Sequence, residues 1–305
     1  MIYVLLFVIS LAVLLYASDR FVDSAENIGL SLGVPTFIIG VTIVAFGTSL
    51  PELATSIAAV YSGASEIVIG NVIGSNVTNI LLIIGLTAFV GKVIKLDFDV
   101  WDVDMPILYT SAFLMYFVLR DLHISFFETG LFLTALLIFL LNSFKGEKEE
   151  KHLRRKSSWV DYVMLLGAGV LVYFSANYTI VALKEIAGAL SVPPHIIALT
   201  VIALGTSLPE LIVSLAAARK GKHAMAVGNV LGSNIFNTYA VLGVSSLFGD
   251  IVVPESVSNF DMPFMIVVTV LFGMMCLGGR ISKWEGATLI VLYFYFIGES
   301  IKSVI

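Results

Sequence analysis

One eighteen-residue stretch occurs twice in this chain. TIVAFGTSLPELATSIAA, starting at Thr42, returns 158 positions later as TVIALGTSLPELIVSLAA, starting at Thr200. GNVIGSNVTN, from Gly70, returns at the same offset as GNVLGSNIFN, from Gly228. From Thr42–Gly91 to Thr200–Gly249 no gap is needed, and about 22 of the 50 aligned positions are identical. Weaker echoes extend the match: Val34-Pro35 with Val192-Pro193, and Asp104-Met105-Pro106 with Asp261-Met262-Pro263 after a one-residue slip. The fold is therefore expected to contain two copies of one unit.

The solvent of that fold follows from composition. Hydrophobic residues make up 58% and charged residues 13% of the 305 residues, and mean hydropathy is +1.00. A soluble domain is about 45–50% apolar and about 25% charged, so this composition excludes a soluble globular protein, a disordered tail and a basic nucleic-acid binder. A single cysteine, Cys276, excludes a disulfide framework and a cysteine-based zinc site. About 20 apolar residues cross the bilayer core as a helix. Ten candidate spans centre on 2–18, 36–60, 67–90, 105–119, 126–144, 159–181, 194–217, 225–248, 262–278 and 284–303. The first and sixth are expected to run on toward Gly33 and Leu190. No basic segment precedes residues 2–18 and no small-residue cleavage site follows, so they read as a retained helix rather than a signal peptide.

The strongly polar stretch Lys145–Ser158 separates two sets of five spans. The expected organisation is a first five-helix repeat over 1–144, a basic linker over 145–158 and a second five-helix repeat over 159–305. The linker holds six lysines and arginines, and the positive-inside rule makes it cytoplasmic. Both termini are then outside, and of the 17 basic residues only Arg120, Lys184 and Lys302 face outward. An odd number of spans per repeat makes the second copy enter the membrane inverted, an arrangement that many secondary transporters use with their site at the midplane. The competing reading is a duplicated structural bundle. The best-matched residues are polar and at membrane depth, which favours the transporter.

GTSLPE, at 47–52 and 205–210, lies in mid-span. Pro51 and Pro209 lack the N–H that would bond the carbonyls of Gly47 and Gly205, so free carbonyls are expected near Gly47, Thr48, Gly205 and Thr206. In a membrane such groups persist only where protein, water or an ion satisfies them. The next residue is a glutamate in each copy, Glu52 and Glu210, costly at that depth without a cation or proton. Carbonyls, Thr and Ser hydroxyls and a carboxylate form an all-oxygen set suited to a hard cation such as Ca²⁺ or Na⁺. In the second motif Ser75 and Asn79 share a helix face, as do Ser233 and Asn237. The spacing of Gly70 and Gly74, and of Gly228 and Gly232, admits a close neighbouring backbone. These Ser and Asn residues are candidate neutral ligands or, alternatively, interhelical hydrogen-bonding groups. Asn71, Asn76, Asn229 and Asn234 lie on other faces and read as mainly structural.

These paired motifs resemble the two alpha repeats of the calcium/cation antiporter superfamily, and are similar in kind to the prokaryotic type of the sodium/calcium exchanger family. The resemblance covers essentially the whole chain. It implies a secondary antiporter working by alternating access, with Na⁺ and Ca²⁺ as transported ions and no cofactor. It implies Ca²⁺ held by Glu52 and Glu210 with backbone oxygens of Thr48 and Thr206. One Na⁺ site would use Ala45, Thr48, Ser49 and Ser75 with Glu210. The other would use Ala203, Thr206, Ser207 and Ser233 with Glu52, and Asn79 and Asn237 would line the middle. Potassium-dependent relatives carry Asp at the second middle position; Asn at both positions here favours a potassium-independent exchanger. With both glutamates ionised the empty site carries −2, one Ca²⁺ neutralises it, and the three Na⁺ that the resemblance implies make it +1. The expected partners are these ions and the lipid bilayer of the cell membrane, with one protomer sufficient for transport and no nucleic acid. A Ca²⁺/H⁺ antiporter on the same fold is the alternative, and a passive cation channel is a more distant one.

Other features carry less. Asp97, Asp99, Asp102 and Asp104 lack EF-hand spacing and read as a solvated or interfacial face. His123, His152, His195 and His223 share no spacing and no HExxH occurs, which disfavours a metalloprotease. Asp19 could pair with Arg20 or face water. Trp101, Trp159 and Trp284 sit near span ends as interfacial anchors, and Cys276 reads as packing.

Overall fold

The computed structural model describes residues 2–96, 100–101, 104–143, 157–189, 205–254 and 257–302. They form an all-α architecture. In chain order the helices are α1 (Ile2–Ser31), α2 (Thr36–Tyr61), α3 (Glu66–Gly91), α4 (Asp104–Val118), α5 (Phe126–Ser143), α6 (Trp159–Ala189), α7 (Leu208–Arg219), α8 (His223–Phe236), α9 (Met262–Cys276) and α10 (Lys283–Lys302). Six helices are long and apolar enough to cross a membrane by length and composition: Ile2–Ser31, Thr36–Tyr61, Glu66–Gly91, Phe126–Ser143, Trp159–Ile186 and Asn259–Cys276. Residues 194–204 of the seventh expected span and 145–156 of the basic linker fall outside the described residues.

Burial sorts the helices by role. In α2 and α3 the apolar span is 56% and 78% buried, whereas in α1 and α5 it is 22% and in α6 28%. The helices that carry the repeated motifs are therefore central. Their apolar residues join one core with α4, α8, α9 and α10, in which Ile69, Ile73, Ile80, Leu81, Ile83, Val230, Leu231 and Phe272 are inaccessible or nearly so. The helices α1 and α6 pack along each other at the periphery and expose large apolar side chains such as Val4, Leu5, Val8, Leu166, Val170 and Phe174. As expected, both run long. Thirty residues at 1.5 Å each make α1 about 45 Å long, well beyond the roughly 30 Å hydrocarbon core.

Local structure repeats with the sequence. Gly63 and Gly221, 158 apart, take positive φ of 75° and 73° just past the ends of α2 and α7. Each closes a Schellman cap. Ala64 N–H bonds Ala59 O and Gly63 N–H bonds Val60 O; Lys222 N–H bonds Ala217 O and Gly221 N–H bonds Ala218 O. Each cap turns the chain straight into the next motif helix. The α-helical geometry of α3 widens to a π turn at Asn79–Ile84, and α8 is continued by one at Asn237–Val241. Both π turns open on a candidate site asparagine, a position such bulges often take at functional sites. A short antiparallel ladder, β1 (Val93–Lys95) with β2 (Arg280–Ser282), pairs Ile94 with Ile281; an isolated bridge joins His123 to Val252. These two contacts exchange partners under the same 158-residue shift.

The close approach expected at the glycines is seen at α8. A Cβ on Gly228 would meet Phe37 O, and one on Gly232 would meet Val41 O, both backbone atoms of α2. The repeat-related partners of Gly70 and Gly74 would be residues 195 and 199, outside the described set. Pro51 does not break its helix: α-helix continues through it from Ala45 to Tyr61, and the irregularity sits one turn earlier, in a π turn over Gly40–Val44. Pro209 instead lies at the start of α7, where a missing N–H costs little.

Candidate cation site

Glu52 and Glu210 are both only 1% exposed. Among the described residues the lysine–carboxylate ion pairs lie elsewhere, where α1 meets the α7–α8 turn, so neither glutamate has a basic partner. One carboxylate oxygen is satisfied: Ser49 Oγ donates to Glu210 Oε1 at 3.2 Å. The other three have no hydrogen-bond partner among the described residues. Four more buried oxygens are likewise unpartnered: Ser207 Oγ, Ser233 Oγ, Asn79 Oδ1 and Asn237 Oδ1. Buried polar atoms are nearly always bonded, so their concentration at the repeated motifs fits an acceptor set for a cation. Among the described residues no group of three or more His, Cys, Asp and Glu gathers. Any cation held here would rely mainly on neutral oxygens around two carboxylates.

A hydrogen-bonded frame crosses between the repeats around this set. Thr48 Oγ1 is 3.2 Å from Asn229 Oδ1, and Thr206 Oγ1 is 3.3 Å from Asn71 Oδ1. Each asparagine also holds its own repeat. Asn71 Nδ2 donates to Glu52 O and Ser56 Oγ, at 3.4 and 3.1 Å; Asn229 Nδ2 donates to Glu210 O and Ser214 Oγ, at 3.5 and 2.9 Å. Ser75 Oγ lies 3.4 Å from Thr206 Oγ1. Thr48 Oγ1 is also 3.2 and 3.3 Å from the carbonyls of Val44 and Ala45. Its single proton serves one acceptor at a time, so the contact can be exchanged as the site fills.

Of the residues singled out from sequence, Ala45, Thr48, Ser49, Glu52, Ser75, Asn79, Ser207, Glu210, Ser233 and Asn237 are all buried and Thr206 is half-buried. Ala203 lies outside the described residues. The frame residues Asn71, Asn76, Asn229 and Asn234 are more intimate with the site than their faces suggested, since each touches a candidate ligand residue. A usable signal was present: Ser56 and Ser214, like these asparagines, recur at the 158-residue offset.

Three features read differently once placed. Asp104 is 7% exposed and not on a solvated face; Asp97, Asp99 and Asp102 are outside the described residues. Asp19 does not pair with Arg20, which instead lies over the Tyr16 ring. Its backbone and side-chain oxygens take Lys220, while Lys220 and Lys222 also hold Asp23, and Lys222 holds Glu26. Trp159 and Trp284 are largely exposed and Cys276 is buried, in line with the anchor and packing roles expected of them.

The sequence pattern of the family described as "Sodium/calcium exchanger protein" matches residues 2–145 and 160–302. "Sodium/calcium exchanger MaX1" of Methanosarcina acetivorans is 34% identical, with 96% of this chain and 97% of that protein covered. "Uncharacterized membrane protein MJ0091" of Methanocaldococcus jannaschii is 35% identical over 96% of each. Among solved structures, the sodium-calcium exchanger NCX_Mj soaked with zero Na⁺ and Ca²⁺ superposes with a TM-score of 0.86 at 33% identity, covering 97% of this chain and 98% of that one.

Proposed function

Since this chain belongs to the sodium/calcium exchanger family, we propose that its buried oxygen cluster takes up Ca²⁺ and Na⁺ alternately and exchanges them across the membrane. The observation that carries this reading is the pair of buried glutamates with, among the described residues, three of four oxygens unpartnered and no basic residue paired with them. A buried carboxylate in lipid is tolerated only with a companion charge or proton. Ca²⁺ would sit between Glu52 and Glu210 with backbone oxygens of Thr48 and Thr206. One Na⁺ site would draw on Ala45, Thr48, Ser49, Ser75 and Glu210, the other on Ala203, Thr206, Ser207, Ser233 and Glu52, with Asn79 and Asn237 in the middle. The Ser49–Glu210 hydrogen bond, joining the first repeat to the second, supports the first grouping.

The same reading gives ten spans in two inverted repeats, 1–144 and 159–305, around the 145–158 linker. The exchanged contacts Ile94–Ile281 and His123–Val252 support the inversion. Lys92, Lys95, Arg280 and Lys283 meet at one ladder, which fits one basic, cytoplasmic face with both termini outside, in the cell membrane. The peripheral pair α1 and α6 would slide across the central bundle to alternate access. With Asn at 79 and 237 the cycle would be potassium-independent, and at 3 Na⁺ to 1 Ca²⁺ it would move one net charge. A single protomer would supply every proposed ligand and suffice for transport.

The test is uptake of radiolabelled Ca²⁺ into proteoliposomes driven in turn by Na⁺, K⁺ and H⁺ gradients. Uptake with outward Na⁺ alone is expected. Uptake with a proton gradient alone would replace this reading with Ca²⁺/H⁺ exchange, and ion-independent conductance would replace it with a channel.

A further inference from the structure

Beyond the ligand set, we infer that Asn76 and Asn234 are positioning residues that fix which end of the Asn79 and Asn237 amides faces the cation. This rests on the exchange reading above. A primary amide is two-ended: its oxygen attracts a cation and its NH₂ repels one. Burial alone does not choose between the ends. Here both choices are made across the repeat boundary. Asn79 Nδ2 donates to Asn234 Oδ1 at 2.9 Å, and Asn237 Nδ2 donates to Asn76 Oδ1 at 3.3 Å. In both, the NH₂ is engaged and the opposite end, Oδ1, is buried without a partner.

The pinning residues are themselves held so that only their oxygens are offered. Asn234 Nδ2 donates to the Asn76 backbone carbonyl at 3.2 Å, and Asn76 Nδ2 lies 3.1 Å from Thr238 Oγ1. If Asn234 rotated its amide, its NH₂ would face the Asn79 NH₂, donor against donor, and the carbonyl of Asn76 would lose its partner. Asn76 turned alone would likewise set its NH₂ against that of Asn237, although the Thr238 hydroxyl, which can donate as well as accept, would still bond its oxygen. All four asparagines are at most 4% exposed, so water is not on hand to repair a wrong choice. The Asn234 arm has one consistent direction, set by a backbone carbonyl, and in the arrangement seen both arms leave a carbonyl oxygen without a partner among the described residues. Asn79 and Asn237 also open the two π turns, so their side-chain ends are constrained as well as their backbone positions.

The test is a pair of double-variant cycles on the full chain in proteoliposomes, reading the KM for Ca²⁺ and the maximal rate separately under an outward Na⁺ gradient. Asn76→Leu removes the acceptor for Asn237. It is expected to raise KM on the order of tenfold, about one charge-assisted interaction, with the maximal rate little changed. Asn76→Asp keeps an acceptor for Asn237 Nδ2 and a second oxygen to which the Thr238 hydroxyl can donate, so it should restore most of the wild-type KM. In an Asn237→Ala background Asn76→Leu should raise KM no further, because it acts through the missing amide. Multiplying effects in the double variant, equal damage from Asn76→Asp, or a fall in maximal rate at unchanged KM would overturn the proposal and leave Asn76 a packing residue. If Asn76→Leu does not fold, the Asn234→Ala and Asn79→Ala cycle asks the same question with the same outcomes. Wild-type protein that shows no Na⁺-driven uptake would sink the exchange reading; a transporting wild type with an additive cycle would sink only this inference.

Discussion

Substituting Gly232 by alanine tests whether the contact between the repeats sets the geometry of the site. The added Cβ would fall on the carbonyl of Val41 and within 2.7 Å of both Val41 C and Ala45 Cβ. Carbon atoms pack at about 3.5–4.0 Å, so α8 and α2 must separate locally by about 1 Å. The obstruction is backbone, which cannot swing aside as a side chain could. Overpacking of this kind costs about 1–3 kcal/mol. The larger effect is functional. The displaced segment of α2 carries Ala45 and Thr48, and a misplacement of about 1 Å in a preorganised constellation costs up to about a hundredfold. Gly232→Ala is therefore expected to lose ten- to a hundredfold in Na⁺-driven Ca²⁺ uptake, roughly, while its melting temperature in detergent falls by only a few degrees. Gly130→Ala on the exposed face of α5, where an added Cβ meets nothing, is the control and should transport normally. Wild-type uptake by Gly232→Ala would refute the argument that this crossing positions the ligands.

Glu52→Gln and Glu210→Gln are each expected to abolish Ca²⁺ uptake without lowering the melting temperature in chelator, since each replaces a buried charge lacking a basic partner with a neutral group of the same shape; retained exchange would remove that residue from the site. Ser49→Ala should destabilise the ion-free protein by about 0.5–1.5 kcal/mol, the net worth of an ordinary hydrogen bond, whereas Ser207→Ala, whose hydroxyl has no partner among the described residues, should not; equal melting shifts in chelator would show the Ser49–Glu210 bond to be inconsequential. A 3:1 cycle works against the membrane potential by about 2.3 kcal/mol per 100 mV, so the uptake rate in sealed vesicles should change with an imposed K⁺ diffusion potential, and voltage-insensitive flux would exclude that stoichiometry.

The chain discloses its site more fully than its packing. The GTSLPE and GS–N copies were legible because a carboxylate beside a proline in an apolar run has few explanations, and two copies have fewer. Gly63 and Gly221 recur at the same offset and close matching caps. The offset could not announce contacts between the copies, because a repeat states which residues are equivalent and is silent on which residues touch. Asn71, Asn76, Asn229 and Asn234, read as mainly structural, do form a hydrogen-bonded frame, but one whose crossing between the copies the repeat did not show. On a single helix they point away from Ser75 and Ser233, yet their partners, Thr206, Asn237, Thr48 and Asn79, come from the other repeat. Asp104 was misjudged. Four aspartates in eight residues look solvated as a group, and the pattern does not reveal that the first residue of α4 turns inward. The continuous helix through Pro51 shows the same limit, since the proline rule locates a missing bond while packing decides where the backbone relaxes.

The departures from the repeat bear on mechanism as well. Asp19, Asp23 and Glu26 of α1 clasp Lys220 and Lys222. Shifted by 158, the same positions hold Asn177, Val181, Lys184, Ser62 and Ala64. The clasp has no counterpart at the shifted positions, so under the proposed alternation of the two repeats the conformation described here gains whatever the clasp contributes and its opposite does not. The side chains of Lys222 and Glu26 are only 13% and 18% exposed, which places the pair above the 0–1 kcal/mol or so of a solvated surface bridge. A bias of about 1.4 kcal/mol is a tenfold shift in population. Lys222→Gln leaves Glu26 without its lysine and weakens the hold on Asp23. It should therefore shift the balance away from this conformation, read as a change in the distance between spin labels on α1 and on the α7–α8 turn. Lys220→Gln, at a more exposed lysine, should do so less. Raising ionic strength with an impermeant salt should shift wild type in the same direction and leave Lys222→Gln nearly unmoved. A wild type and a Lys222→Gln variant with identical distance distributions at low salt would show that the clasp contributes nothing to the choice of state.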